Sequence, residues 1–338
     1  MKTTTFGVDP AKRVFQVHWV DMETGEIGRR QFKRDQLVQF FSNCTPALIA
    51  MEACGSAHFW ARKLSALGHQ VRLIAPSFVR PFVKRNKTDA ADAHAIWEAA
   101  QRPEMRFVAV KSEAQQSVLT LHRVREQLIK MRHMQINQMH GLLYEFGAAV
   151  RAGAHGMSDA ARLLGELADT LPAMVIETLR EQLKRIEGLT QDIKQIELRL
   201  EAWRREDQSA QRISAIPGVG LLTASAAIAT IGEAGTFRSG RELAAFLGLV
   251  PRQSGTGGRV KLLGISKRGD VYLRTLLIHG ARSVLAHCKR LTESQQRLLA
   301  RRPFNVAVVA LANKMARTIW ALLAHARAYQ PGYAARAA

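Results

Sequence analysis

The spacing of apolar residues changes along the chain and divides it into three parts. In the first part, short runs of β-branched and aromatic residues predict strands, and helical spacing between the later runs predicts helices. The strands are expected at 4–9, 14–20, 30–33, 47–51 and 71–75, and the helices at 35–41 and 55–67. Three strands followed by two helix and strand pairs predict an α/β domain over residues 1–110.

The second part has the spacing of long helices. No proline occurs between residues 113 and 146, and apolar residues recur at intervals of three and four at Val118, Leu121, Val124, Leu128 and Met131. The other faces of this helix carry His122, Arg123, Arg125, Lys130, Arg132 and His133. Because these groups are almost all of one sign, we expect them to bind a polyanion, with Arg123 and Arg125 as nucleic-acid contacts.

A heptad pattern follows and completes a helical segment over residues 111–206. One set of apolar residues steps by seven at Leu179, Ile186, Ile193 and Leu200, and a second set does so at Leu189, Ile196 and Trp203. Gln182 is the polar residue of this seam. The pattern predicts a short coiled coil, which either packs within the chain or joins two subunits. We expect the contact between subunits.

The third part, residues 207–338, is predicted to be mostly helical. A Pro-Gly-Val-Gly turn at 217–220 precedes an alanine-rich helix that ends near residue 231. The turn resembles that of helix-hairpin-helix modules, so Gly218 and Gly220 are expected to offer backbone N–H groups to a phosphate. The same four residues are also typical of an ordinary turn. Ser239 and Glu242 predict a capping box for the next helix.

The net charge of the chain indicates which class of molecule it binds. The 338 residues carry 49 Lys and Arg against 28 Asp and Glu, a formal net charge of +21. The last 132 residues hold 19 of these cations and five of the acids, so this part should contact a polyanion heavily. Nucleic acid fits this charge. An anionic membrane fits less well, because no long uninterrupted apolar run and no signal peptide occur. We expect a cytoplasmic, nucleoid-associated protein.

The three cysteines do not change this view. Cys44, Cys54 and Cys288 are far apart and form no C-x-x-C pair. The sequence therefore indicates neither a disulfide framework nor a zinc site.

Four acids are candidate metal ligands. Asp9 and Glu52 fall at the ends of two predicted strands, and Asp89 and Asp92 share one face of a helix that Thr88 can cap. Carboxylates from separate elements suit a hard divalent cation. The same residues are also typical of strand-end turns and of a well-capped helix whose dipole stabilises acids in its first turn. Lys87, just before this helix, is a candidate nucleic-acid contact.

A glycine-rich loop at 248–261 is the second candidate site. It contains the hydroxyls of Ser254 and Thr256, and the basic residues in and after it are Arg252, Arg259, Lys261, Lys267 and Arg268. Backbone N–H groups, guanidinium groups and a hydroxyl can thereby meet at one phosphate. The alternative is a flexible phosphate-binding loop without covalent chemistry.

Several segments resemble a family of bacterial insertion-sequence transposases. They are Gly-Val-Asp-Pro-Ala-Lys at 7–12, Met-Glu-Ala-Cys-Gly at 51–55, Asn-Lys-Thr-Asp-Ala-Ala-Asp-Ala at 86–93, and the block from 248 to 270. The resemblance implies an N-terminal ribonuclease-H-like domain similar to the Holliday-junction resolvase RuvC, with a mixed sheet flanked by helices. It also implies a tetrad of Asp9, Glu52, Asp89 and Asp92 that binds Mg²⁺ or Mn²⁺.

The resemblance further implies a serine that becomes covalently joined to DNA. Many relatives have a Ser-Ser-Gly-Gly run, and an ungapped comparison places Thr256 at its second serine. We prefer Ser254, because the extra methyl of a threonine crowds in-line attack. The partners implied are element and target DNA, a structured noncoding guide RNA, and further copies of the chain in a homodimer or homotetramer. In that assembly the acids of one subunit act with the serine of another.

Two other functions compete with an RNA-guided recombinase. The first is a metal-dependent endonuclease of the Holliday-junction type, in which water attacks and the C-terminal domain holds DNA. The second is a noncatalytic nucleic-acid scaffold. A covalent protein–DNA adduct on a nicked substrate distinguishes the recombinase from both.

Overall fold

The computed structural model describes residues 4–83, 88–151 and 156–331. Its contacts divide the chain into two compact units, Met1–Glu113 and Ala114–Ala338. The predicted domain boundary at residue 110 stays a prediction. The further division at residue 206 stays a prediction, although one long helix ends there.

The first unit contains a mixed β-sheet. Its strands are β1 (Thr5–Pro10), β2 (Val14–Val20), β3 (Ile27–Lys33), β4 (Leu48–Glu52), β5 (Gln70–Ile74) and β6 (Phe107–Val108). The sheet order is β3-β2-β1-β4-β5-β6. The pairs β1–β4 and β4–β5 are parallel, whereas β1–β2, β2–β3 and β5–β6 are antiparallel. The five predicted strands are present, and the two-residue strand β6 is too short to have a sequence signal.

Helices cover both faces of this sheet. They are α1 (Arg34–Ser42), α2 (Ala57–Ala66), the single turn α3 (Pro76–Val79) and α4 (Asp89–Ala100). Apolar residues of α1 and α2, including Phe41 and Trp60, pack against Phe15 and its neighbours on one face. Small and branched residues of α4, including Ile96, pack with Ala50 on the other face. The predicted α/β domain is therefore a three-layer arrangement.

The second unit is mostly helical. Its elements are α5 (Glu113–Glu145), α6 (Gly156–Glu166), α7 (Ala173–Glu206), α8 (Gln208–Ser214), α9 (Leu221–Ile231), α10 (Gly240–Phe246), β7 (Pro251–Thr256), β8 (Arg259–Ile265), α11 (Val271–His287), α12 (Glu293–Arg301) and α13 (Phe304–Ala324). The helix α5 has the extent that the apolar spacing predicts. Helices α9, α10, α11 and α13 enclose one core, in which alanines are frequent.

The heptad seam of α7 packs against α5 of the same chain. Ile186 packs with Met139 and Leu143 of α5, and Leu200 packs with Val118 of the same helix. The polar seam residue Gln182 is buried, and its amide donates to the Gln135 carbonyl and to Gln138 Oε1, both at 3.0 Å. The prediction that this seam joins two subunits is therefore wrong, and the alternative of packing within the chain is what the structure shows. The heptad pattern alone does not distinguish these partners, because an intramolecular helix pair has the same spacing.

The helix α13 needs separate mention because of its composition. Among the described residues it is the one helix long and apolar enough to cross a membrane. Its buried residues are Ala307, Val308, Ala312, Met315, Ala316, Ile319 and Leu322, all part of the core just described. Its apolar character is therefore explained by packing against α10 and α11.

Candidate active site

Three carboxylates meet at one end of the sheet in the first unit. Asp9 is the penultimate residue of β1, and Asp89 and Asp92 lie in the first turn of α4. One carboxylate oxygen of each residue lies within 4.8 Å of those of the other two. Asp9 and Asp92 are half-buried, and Asp89 is exposed. The structure thus brings together three of the four acids expected to bind metal.

The acids meet because α4 lies directly against β1. Gly7 permits this approach, since a Cβ added there would lie 2.6 Å from the Trp97 backbone nitrogen of α4. Alternate residues of a strand face the same side, so Asp9 faces α4 as Gly7 does. At the start of α4, the Thr88 hydroxyl accepts a hydrogen bond from the Ala91 N–H at 3.2 Å. This cap sets where the helix begins and places both acids in its first turn.

Glu52 lies at the end of the neighbouring strand. In the parallel pair of β1 and β4, Val8 is opposite Met51, so Asp9 and Glu52 are the next residues along the two strands. Glu52 faces the same side of the sheet as Ala50, which is buried against α4. Its side chain is not one of the three within 4.8 Å. Its part as a fourth ligand stays a prediction.

The three carboxylates fit a hard divalent cation. Mg²⁺ binds oxygen at about 2.0–2.1 Å, so oxygens on opposite sides of the ion are about 4.2 Å apart. The oxygens here lie within 4.8 Å of one another, and small side-chain rotations close the difference. Carboxylates so close together repel each other, and a cation relieves that repulsion. Mn²⁺ accepts the same ligands.

Two histidines and a tryptophan, which the sequence patterns did not single out, pack on one another where β2 meets α4. His18 of β2 lies opposite Gly7, and its buried ring is centred 4.7 Å from the His94 ring and 5.4 Å from the Trp97 ring. Burial, followed by the charges of His94 and Arg29, lowers the pKa of His18 to about 4. Its ring is therefore neutral at pH 7. The available signal was the alternation along β2, which puts His18 on the α4 side.

The glycine-rich segment of the second unit is a β-hairpin, not the irregular loop that its composition indicates. Strand β7 pairs antiparallel with β8, with Ser254 opposite Lys261 and Thr256 opposite Arg259. Gly257 and the residue after it form the two-residue turn, with φ values of 56° and 79°. A type I′ turn needs positive φ at both positions, which explains the paired glycines. Composition indicated flexibility, whereas the glycine pair specifies a turn between strands.

Both candidate hydroxyls lie on one side of this hairpin. Ser254 and Thr256 are two residues apart in an exposed strand, so their side chains point the same way. Their cross-strand neighbours on that side are Lys261 and Arg259, which places a cation beside each hydroxyl. A phosphate on this side can meet a hydroxyl and a positive charge together. The preference for Ser254 stays a prediction.

The two ends of the hairpin are held together by a buried arginine. The Arg274 guanidinium donates from Nη1 to the Leu247 carbonyl at 3.0 Å, before β7, and to the Arg268 carbonyl at 2.8 Å, after β8. Gly248 has a φ of +68°, and a Cβ there would lie 2.5 Å from the Arg268 backbone nitrogen. The backbone segments entering and leaving the hairpin are thus in direct contact, which fixes its base.

The predicted nucleic-acid contacts of this region are accessible. Five basic residues in and after the hairpin have exposed side chains: Arg252, Arg259, Lys261, Lys267 and Arg268. Lys267 has a φ of 55°, an uncommon value for a residue other than glycine, in the turn that leads to α11. Lys87 lies outside the described residues.

The two glycines expected to contact a phosphate have different surroundings. Gly218 has a φ of +85°, and a Cβ there would lie 2.7 Å from the Gly280 carbonyl oxygen of α11. It therefore allows close packing of the turn on that helix. Gly220 is the N-cap of α9, where no side chain accepts a hydrogen bond from the first turn. The first backbone N–H groups of a helix have no partner within the helix, so a helix end without a side-chain cap can offer them to a phosphate.

The basic face predicted for α5 needs one correction. His122 is buried, with Nδ1 2.9 Å from the Tyr272 hydroxyl and Nε2 3.0 Å from the Ser225 hydroxyl. Burial, followed by the charge of Arg125, lowers the pKa of His122 to about 4, so it is neutral at pH 7 and does not belong to a cationic face.

The two arginines predicted to bind nucleic acid on α5 differ in accessibility. Arg123 is exposed. Arg125 instead forms an ion pair with Glu197 of α7, with donor distances of 2.8 and 2.6 Å, and its side chain is 15% exposed. Arg123 is the better placed of the two for a phosphate.

Comparison with known proteins gives matches in both units. Residues 6–147 match a family model for DEDD transposases of the IS110 type, and residues 210–296 match the model described as the transposase IS116/IS110/IS902 family. The chain is 51% identical to a probable family 20 transposase of Pseudomonas aeruginosa, over 98% of this chain and 100% of the relative. It is also 42% identical to the transposase for insertion sequence element IS1328 of Yersinia enterocolitica, over 94% and 96% of the two chains. The identity with the transposase for element IS1111A of Coxiella burnetii is 43%, over 96% and 91%.

Proposed function

Because the chain belongs to the IS110/IS116/IS902 family of transposases, we propose that it moves an insertion sequence through a covalent hydroxyl–DNA intermediate. Its activity as a DNA transposase follows from its relatives, which are named transposases and resemble this chain over nearly their whole length. The covalent route is our proposal. The observation that carries it is the exposed hairpin, which places each hydroxyl opposite a cation.

The acid cluster supports a metal-assisted mechanism. We assign the first unit to the RuvC-like fold, and its mixed sheet with helices on both faces supports that assignment. The DEDD name of the matching family model supports a tetrad of Asp9, Glu52, Asp89 and Asp92. When bound, Mg²⁺ or Mn²⁺ neutralises charge that develops on the scissile phosphate. The carboxylates hold the ion at the sheet end and can accept a proton from an attacking hydroxyl.

The hairpin supplies the nucleophile in this proposal. The hydroxyl oxygen of Ser254, or of Thr256, attacks phosphorus and forms a new P–O bond, while the bond to the leaving deoxyribose oxygen breaks. The hydroxyl loses its proton to a base, and the leaving oxygen takes one up. The resulting phosphoester keeps the energy of the broken phosphodiester, so strands can be rejoined without ATP. Lys261 and Arg259 stabilise the negative phosphate during this step.

Guide RNA and oligomer state complete the proposal. We infer from the family resemblance that an element-encoded RNA pairs with donor and target DNA, and the net charge of +21 suits binding of both nucleic acids. We also infer a homodimer or homotetramer in which acids and hydroxyl come from different subunits. Sequencing of RNA that copurifies with the protein tests the first inference, and light scattering of the DNA-bound protein tests the number of subunits in the second.

The decisive experiment is trapping of the intermediate. A nicked DNA substrate that prevents rejoining should leave a protein–DNA adduct that survives denaturation, and peptide mapping should locate it in β7. Cleavage without any adduct would favour the second candidate, a metal-dependent junction endonuclease that uses water. That candidate is supported by the acid cluster, whose three carboxylates all belong to the first unit and can hold a metal without the hairpin.

A further inference from the structure

A strongly basic surface lies along and before α12, apart from the groups assigned to the chemistry. The stretch from 289 to 302 contains one carboxylate, Glu293, and five cations, all exposed: Lys289, Arg290, Arg297, Arg301 and Arg302. We call these five residues the α12 basic surface. A solvated helix usually carries charges of both signs that pair with each other, whereas this stretch has a large excess of positive charge.

The single carboxylate does not neutralise this surface. Glu293 lies 2.9 Å from Arg297, but the two side chains are 86% and 71% exposed. An exposed pair one helical turn apart interacts weakly and exchanges readily with other ions. The remaining cations repel each other, and a bound polyanion removes that repulsion.

The arginines of α12 are held in a defined arrangement. Leu298 and Leu299 pack against the core of the second unit, which fixes the side of the helix that faces outward. Thr292 caps the helix in a capping box with Gln295. Arg297 and Arg301 are four residues apart, so they lie on one face and about 6 Å apart along the axis. Guanidinium groups at such positions can each bind a phosphate through two parallel hydrogen bonds.

The helix α13 connects this surface with the hydroxyl hairpin. Arg302 lies two residues before Phe304, the first residue of α13. Further along the same helix, the Asn313 amide donates to the Leu249 carbonyl at the base of the hairpin, at 3.2 Å. The ten residues from Phe304 to Asn313 span about 14 Å of helix. The two steps from Arg302 to Phe304, the Asn313–Leu249 contact and the five steps from Leu249 to Ser254 add at most about 30 Å. The separation is therefore at most about 44 Å, or roughly 13 base pairs at 3.4 Å each.

We propose that the α12 basic surface binds the sugar-phosphate backbone of duplex DNA that flanks the phosphate reacting at the hairpin. The position of that phosphate rests on the proposed function, whereas the binding of DNA by the surface does not. DNA is the polyanion of choice, because the family to which the chain belongs moves DNA elements. The contacts carry no base sequence and instead set the path of the duplex.

The test compares two triple variants of the full chain. Arg297→Gln, Arg301→Gln and Arg302→Gln remove the surface, and Arg180→Gln, Lys184→Gln and Lys194→Gln remove the same charge from the exposed side of α7. The first variant should bind a 40-base-pair duplex about 10-fold to 100-fold more weakly than the second, and its log–log salt slope should be lower by up to about 2.7. Equal affinities and equal slopes for the two variants would overturn the proposal.

Two further arms locate the surface and identify the polyanion. Nested duplexes shortened from either side of the reacting phosphate should lose the difference between the variants once one flank is too short to reach the surface, at a length of at most roughly 13 base pairs. A difference that persists on the shortest duplexes would place the surface at the reacting phosphate and contradict a flanking role. A loss of affinity for duplex RNA with unchanged affinity for DNA would assign the surface to RNA. The comparison of duplex affinities does not require a covalent adduct. It therefore tests the α12 basic surface even if no protein forms an adduct and the proposed function fails.

Discussion

Gly7 of β1 lies so close to α4 that a Cβ on it would be 2.6 Å from the backbone nitrogen of Trp97. The contact involves backbone atoms, which cannot rotate away as a side chain can. The close approach of this strand and helix is what brings Asp89 and Asp92 to Asp9.

We therefore predict that Gly7→Ala shifts α4 and separates the acids. Overpacking of this kind costs about 1–3 kcal/mol of stability, and DNA cleavage should fall by more than the folded fraction does. Cleavage per folded molecule, with the folded fraction from circular dichroism, measures this effect. The control is Gly188→Ala in α7, where no atom lies within 4 Å of the added Cβ and activity should be unchanged. A fully active Gly7→Ala protein would show that the acid geometry tolerates the shift.

The second prediction concerns metal binding. Asp9→Asn and Asp92→Asn each remove one negative charge from the cluster, so both should abolish cleavage while DNA affinity changes little. Isothermal titration with Mn²⁺ should show the loss of the bound ion directly. Asp192→Asn, an exposed acid on α7, is the matched control and should keep metal binding and cleavage. Full cleavage in the presence of a chelator contradicts a metal-assisted mechanism.

The third prediction concerns the heptad seam. Ile193 is 5% exposed in a single chain, so Ile193→Ala should lower the free energy of unfolding by about 2–4 kcal/mol. The mass of the assembly in light scattering should not change. Leu198→Ala, at a position that is 53% exposed on the same helix, should have little effect on stability. If Ile193→Ala dissociated an oligomer without loss of stability, the result would support the prediction that this seam joins two subunits.

These elements show which parts of the structure the sequence could predict. The strands and long helices follow from local periodicity, so β2 and α5 were predicted nearly to the residue. Partners in space are not encoded locally. The spacing of Ile186 and Ile193 specifies a helix partner but not which one, and alternation along β2 could place His18 against His94 of α4 only once the sheet order was known. The acid cluster was predictable by resemblance, whereas the close approach that assembles it depends on Gly7.

The fourth prediction is a pH dependence of stability from His122. Its pKa is about 4 in the folded protein, against 6.5 for an ordinary histidine, so the unfolded chain binds more protons between these values. The contribution to stability is complete above pH 6.5 and is lost as the pH falls towards 4. At pH 5 His122 should account for about 2 kcal/mol of the loss, in addition to the loss from His18, whose pKa is also about 4. Urea unfolding at pH 7 and pH 5 measures it.

His122→Gln should reduce this loss, because glutamine can keep one hydrogen bond to Tyr272 or Ser225 and does not titrate. His133→Gln, at an exposed position of the same helix, should leave the pH dependence as it is. The same loss at pH 5 in His122→Gln would assign the acid sensitivity to another group.

The last prediction identifies the nucleophile. Ser254 and Thr256 point to the same side of β7, so both can approach one phosphate, but in-line attack at about 3 Å is possible for one oxygen at a time. We expect Ser254→Ala to abolish the protein–DNA adduct. Thr256→Ala should lose a hydrogen bond to the phosphate, worth about 1–3 kcal/mol, and give a slower but detectable adduct.

Two conservative variants sharpen this assignment. Ser254→Cys retains a nucleophile as a thiolate and should form some adduct if Ser254 attacks. Thr256→Ser keeps a hydroxyl under either assignment and serves as the control for the integrity of the hairpin. A normal adduct yield from Ser254→Ala, together with its loss in Thr256→Ala, would transfer the role to Thr256. That result would also mean that the hydroxyl opposite Arg259, next to the turn, reacts in preference to the one opposite Lys261.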